Sequence, residues 1–258
     1  MLPQPGITEI GILTRFKATF QDIRRLFFGN RSRYIIFAFF CALFVLVPAW
    51  LTNGKVNDRT VAVSTITCGL TTFFVWTFRD KLVPYIQRWS WTPKWKFITI
   101  GSLGALWAEF VFWAWEKALG AQGVAASPNL IVDWLVTMPW YMIMVFLLWK
   151  VETKHEYGMA AVIVLGGIYE LGADGMGGTV FKGAAGLAML PLLPLMVPIF
   201  MIVYSIIVLP CSVLLKDDIA TVRAADLTTR KYGKNLYALY PLLGMIPYYI
   251  LFTIALVA

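Results

Sequence analysis

LWAEFVFWAW, residues Leu106–Trp115, is aromatic or aliphatic at nearly every position and carries one acid, Glu109, in its middle. The run lies inside a longer apolar segment, Phe97–Leu119, which exceeds the ~20 residues a helix needs to cross a bilayer. A carboxylate near the centre of such a helix costs roughly 2.5 kcal/mol or more, and it is retained where it faces protein, water or a ligand. Glu116 follows seven residues later on the same helical face. Working outward from these two acids defines the class of the protein.

The chain has 258 residues, 59% hydrophobic and 14% charged, with mean hydropathy +0.72. A soluble globular domain carries roughly 25% charged residues, so the composition is that of an all-α, polytopic integral membrane protein of the cell membrane. Its expected partner is the lipid bilayer. The net charge of +8 does not indicate nucleic acid, because surplus Lys and Arg in a membrane protein mark the cytoplasmic loops. Cys41, Cys68 and Cys211 lie far apart in apolar runs. They form neither a disulfide framework nor a metal-ligand spacing, and read as small buried hydrophobes. The N-terminus lacks a short apolar core with a small-residue cleavage site, so the first spanning segment is expected to act as its own insertion signal.

Residues 1–33 form a basic amphipathic N-terminal segment. Within 7–28, Leu13, Phe16, Phe20, Ile23 and Phe27 recur at helical spacing with Arg15, Lys17, Arg24 and Arg25 between them. That pattern predicts a helix along the lipid headgroups, although the same composition allows a disordered basic tail. Residues 34–258 then read as a seven-helix transmembrane domain. Its spans are Tyr34–Leu51, Thr60–Phe78, Phe97–Leu119, Leu130–Trp149, Tyr157–Ala173, one within Ala185–Leu215, and Tyr237–Val257. The sixth run contains Pro191, Pro194, Pro198 and Pro210, which predicts a broken or re-entrant helix.

Charge decides how often the sixth run crosses. With one crossing, eighteen of the 22 Lys and Arg fall on one side, leaving Lys55, Arg59, Lys117 and Lys182 on the other. Two crossings would move the five basic residues after it to the wrong side. The positive-inside rule therefore predicts the N-terminus inside and the C-terminus outside.

This orientation gathers five of the fourteen acids in the outer half of the membrane or at its rim: Glu109, Glu116, Asp133, Glu170 and Asp174. They form the candidate ligand- or cation-binding site. Each has a plainer reading. Glu116, Asp133 and Asp174 suit a solvated rim, and Asp133 also suits a helix N-terminus. Glu109 suits a structural hydrogen bond to a tryptophan or tyrosine of a neighbouring helix. Trp107, Trp113, Trp140 and Tyr169 are candidate cavity-lining residues for an apolar or cationic small ligand, with an interfacial aromatic belt as the alternative. Gly166–Gly186 has eight glycines in 21 positions, which suits close helix packing or a backbone-lined cavity. It matches neither a phosphate loop nor an EF-hand.

Several chemistries are excluded. The lone histidine, His155, lies away from the acids, which removes a His-type zinc site and a Ser-His-Asp triad. The last helix has no lysine for a retinal Schiff base, and no haem site is expected. The reading that remains is a proton- or cation-coupled transporter or cation-binding protein, with a hard cation as the possible cofactor. The alternatives are a membrane enzyme acting on a lipid or isoprenoid by carboxylate acid-base chemistry, and a non-catalytic subunit of a membrane complex.

Overall fold

The computed structural model describes residues 11–28, 46–176, 193–226 and 233–249. Helices and short turns account for them, with no strand among the described residues. The helices are α1 (Ile12–Phe28), α2 (Val56–Thr77), α3 (Arg79–Gln87), α4 (Pro93–Leu119), α5 (Leu130–Lys154), α6 (Met159–Glu170), α7 (Leu193–Val203), α8 (Ser205–Leu214), α9 (Lys216–Ala225) and α10 (Lys234–Ala238). A π-helical turn, Leu171–Met176, extends α6, and a 3-10 turn, Tyr240–Gly244, follows α10.

Among the described residues three helices are long and apolar enough to cross a membrane: α2, α4 and α5. Residues Met196–Val203 and Ser205–Leu214 make a fourth if that pair, bent by 47°, is one span. A membrane protein follows from these helices, but with three to four clear spans rather than the expected seven. The differences have local causes. The expected fifth span is a helix of 12 residues continued by a π turn. Only 46–52 of the expected first span is described as helix, with Cys41 outside the described residues. The expected seventh span is described as far as residue 249, and there it is broken by the 3-10 turn at Pro241.

Local chemistry sets the helix ends. Pro93 opens α4 at a position where its missing N–H costs nothing. Gly120 closes it at φ 73°, the left-handed region where glycine is favoured. The Asn129 side chain caps α5 by accepting from Ile131 and Val132 N–H at 2.9 and 3.3 Å. In α2, the hydroxyls of Thr60, Thr65, Thr67, Thr71, Thr72 and Thr77 each donate to the carbonyl four residues back. A threonine-rich helix thereby needs no water.

Tight packing centres on α4 and α8. Pro210 has no N–H to offer the Ile206 carbonyl, and this oxygen points at Gly104: a Cβ added there would lie 2.2 Å from it. The two backbones touch because glycine leaves the room. Gly167 of α6 likewise meets the backbone of α7 at Met201 and Val197, so glycines of the rich segment do serve close helix approach.

The helix expected over 7–28 is described from Ile12 and is tethered by its polar side. Arg15 pairs with Asp80 of α3, Asp22 pairs with Arg79 at 2.8 Å, and Thr19 is buried. Its apolar residues Ile12, Leu13 and Phe20 are 62%, 77% and 62% exposed. The helix is thus held to protein on one side and exposed on the other.

Loop 120–129, Glu116 and Asp133 lie at one end of the bundle with Lys55 and Lys117, and Arg79, Lys96, Lys154 and Arg223 lie at the other, here called the basic end, beside Asp80, Glu152 and Asp226.

Candidate functional site

Glu109 points into the bundle. It is buried, and Tyr141 of α5 donates to its Oε1 at 2.6 Å. The Asp133 carboxyl of α5 and the Cys68 thiol of α2 lie within its electrostatic reach. The Tyr141 and Tyr204 hydroxyls are 3.2 Å apart. A tyrosine hydroxyl has one proton, and that of Tyr141 is given to Glu109, so Tyr204 is the donor to Tyr141. A directional chain results, from Tyr204 to Tyr141 to Glu109. Tyr204 occupies the bend between α7 and α8.

Two buried carboxyls within reach of each other repel when both are ionised, so the arrangement favours one proton held between Glu109 and Asp133.

Asp133 and Glu116 also organise loop 120–129. Asp133 Oδ1 accepts from Ser127 N–H at 3.0 Å, and Glu116 Oε2 accepts from Val124 and Ala125 N–H at 2.7 and 2.8 Å. Lys117 Nζ stands 3.8 Å from the other Glu116 oxygen. Both acids are buried beneath the loop rather than solvated at a rim.

Glu170 is fully buried, with Trp140 Nε1 donating to its Oε2 at 3.3 Å. Glu109 and Glu170 thus contact consecutive residues of α5, Tyr141 and Trp140, which point about 100° apart around the helix. Asp174 falls in the π-helical turn, and its side chain lies outside the described residues.

The aromatic candidates divide into two groups. Trp140 and Tyr169 are buried, and Tyr169 donates to the Ala238 carbonyl at 2.7 Å. Trp107 is 39% exposed and bonds to Thr71, while Trp113 bonds to the Pro128 carbonyl. Phe110 lies between Trp107 and Trp113 with centroid distances of 5.6 and 6.2 Å. These two tryptophans belong to an outward aromatic row, apart from Trp140.

Two functional residues escape a reading of the sequence. Tyr204 carries no charge and sits in an unbroken apolar run. Glu152 looks like a solvated loop acid in KVETKHE, yet it is buried and accepts from Ser212 Oγ at 2.5 Å. The available signal is helical phase: Glu152 lies eleven residues after Tyr141, about three turns on and on the same face. Nearby, the Tyr157 hydroxyl donates to the Lys234 carbonyl at 2.6 Å.

Among the described residues no three His, Cys, Asp or Glu side chains gather as a metal-binding group. What the site shows is buried carboxyls tied to hydroxyls, Glu109 to Tyr141 and Tyr204, and Glu152 to Ser212. Compared with family models, curated proteins and solved structures, the chain gives no match.

Proposed function

We propose that the protein is a proton-coupled transporter of the cell membrane, in which Glu109 and Asp133 together take up and return the coupling proton. The single observation that carries this reading is that Glu109 of α4 and Asp133 of α5 are both buried, with Tyr141 donating to Glu109 at 2.6 Å, because two neighbouring acids in an apolar interior favour holding a proton over ionising together. The chain through Tyr141 to the bend at Tyr204 supports it, since broken helices are common where transporters bind substrate. A hard cation is the weaker choice: Ca²⁺ takes about 6–8 oxygen ligands, and the described carboxyls offer only a pair. The proposal keeps seven spans, with the basic end in the cytoplasm. The substrate class that suits it is an apolar or cationic small molecule meeting Trp140 beside Glu170.

A non-catalytic subunit is the second reading. It is favoured by the loop bonds of Glu116 and Asp133, which give those acids structural work. Flux in liposomes separates the two readings. With an imposed potential and a trapped pH dye, the parental protein is expected to move protons and Glu109→Gln is expected to move none. Equal proton movement by the parental protein and Glu109→Gln, or none by either, rejects the transporter.

A further inference from the structure

We infer that Glu152 is a second proton station, at the basic end, separated from the Glu109–Asp133 pair by a dry apolar layer that a transported proton must cross. The inference rests on the proton-coupled reading above.

The geometry comes from two helices in register. On α5, Tyr141 and Glu152 share a face and are about 16 Å apart along the axis at 1.5 Å per residue. On α8, Ser212 lies eight residues after Tyr204, which is about 12 Å further along. Each level is joined across the helix pair by hydroxyl chemistry: Tyr141 to Tyr204 at 3.2 Å, and Ser212 to Glu152 at 2.5 Å. The turns between them carry Met144, Val145 and Leu148 on α5 and Ile207 and Val208 on α8, all with 0% exposure. None of these five side chains carries an ionisable group.

The groups around Glu152 suit a relay. From α8 come Ser212 and the buried Cys211. Arg223 of α9 donates to the Glu152 carbonyl at 2.9 Å and lies within electrostatic reach of its carboxyl. Tyr157, from the turn before α6, and Tyr169, from α6 itself, also sense its charge. Arg223 is 18% exposed and sits 3.9 Å from Glu156, which is 80% exposed. A short route to water therefore begins beside Glu152. The balance is simple. One proton leaves the Glu109–Asp133 pair, is handed along water molecules admitted to the layer when the α7–α8 bend rearranges, protonates Glu152, and is released to water at the basic end.

The test uses full-length protein in liposomes, comparing Glu152→Gln, Glu152→Asp and Glu109→Gln with the parental chain. Proton flux is read under an imposed potential. The protonated-carboxyl infrared band, assigned to the pair by its loss in Glu109→Gln, is read on the same samples. Glu152→Gln is expected to lower flux about a hundredfold or more while keeping the band, and Glu152→Asp to restore much of the flux. Parental flux in Glu152→Gln, with flux lost in Glu109→Gln, overturns the second station and leaves the proton-coupled reading standing. Parental flux in both variants overturns both. If Glu152→Gln does not fold, the folded Glu152→Asp decides through its pH profile: a shift relative to the parental chain supports the station, and an unshifted profile overturns it.

Discussion

Tyr141 donates a 2.6 Å hydrogen bond to Glu109 across the contact between α4 and α5. The bond satisfies a buried carboxyl, and because the donor is itself 3.2 Å from the Tyr204 hydroxyl, it also ties that carboxyl to the bend of the α7–α8 pair. Tyr141→Phe keeps the ring and removes the link. Loss of one partner of a buried polar group costs about 1–3 kcal/mol, so thermal unfolding in detergent is expected to shift down accordingly. Proton flux is expected to fall as well. An unchanged melting temperature contradicts the bond.

Glu116 holds loop 120–129 through the amides of Val124 and Ala125. Glu116→Gln retains an acceptor oxygen and is expected to behave almost as the parental protein. Glu116→Ala leaves two amides without it, a loss of about 1–3 kcal/mol. Hydrogen exchange should accelerate at Val124 and Ala125 in the alanine variant. Unchanged protection there means the clamp is not what orders the loop.

Gly104 and Gly101 offer a paired test of packing. A Cβ at Gly104 meets the Ile206 backbone oxygen at 2.2 Å, whereas one at Gly101 meets the Val145 side chain at 2.6 Å. Backbone cannot turn aside as a side chain can. Gly104→Ala is therefore expected to lower stability more than Gly101→Ala, with overpacking costing about 1–3 kcal/mol. Equal losses would mean that α4 and α8 are not in backbone contact.

Much of this architecture is legible in the residues, for a physical reason. Apolar runs that must satisfy every backbone group internally have to be helices, so α2, α4 and α5 fall within a few residues of their expected limits. Glu109 and Asp133 lie on adjacent antiparallel helices, α4 and α5, and helix length alone brings them to neighbouring levels of the bundle. Rotation about a helix axis is harder to read. Periodicity finds the apolar face of α1, but only the Arg15–Asp80 and Asp22–Arg79 pairs reveal that its polar face meets the protein. Glu152 is hidden for a related reason: its neighbours Lys150 and Lys154 make the segment look solvated, while helical phase turns Glu152 alone towards Ser212.

Asp80 is half exposed and Arg15 is buried against it. Asp80→Asn removes one half of the tether of α1. The cost is expected to be about 1–2 kcal/mol, below the 3–5 kcal/mol of a fully buried pair, because water partly screens the carboxylate. Trypsin reports the change: cleavage after Lys17 and Arg24 should speed up in Asp80→Asn and speed up further with Arg79→Gln. Unaltered cleavage in both variants would show that lipid alone holds the helix.

Glu109→Gln separates the structural from the chemical role of the site. The amide introduced can accept from Tyr141 through its oxygen, as Glu109 does. Stability is thus expected to change by less than about 1 kcal/mol, whereas Glu109→Ala, which loses that bond and leaves a gap, should cost about 2–4 kcal/mol. The pair can be measured directly. A double-mutant cycle of Glu109→Ala and Asp133→Ala, each of which removes the contact, should return a coupling of about 0.5–3 kcal/mol, the range for groups in contact. A coupling near zero would mean that the two carboxyls do not share a proton. If Glu109→Gln unfolds as readily as Glu109→Ala, Glu109 is held by its charge rather than by a proton.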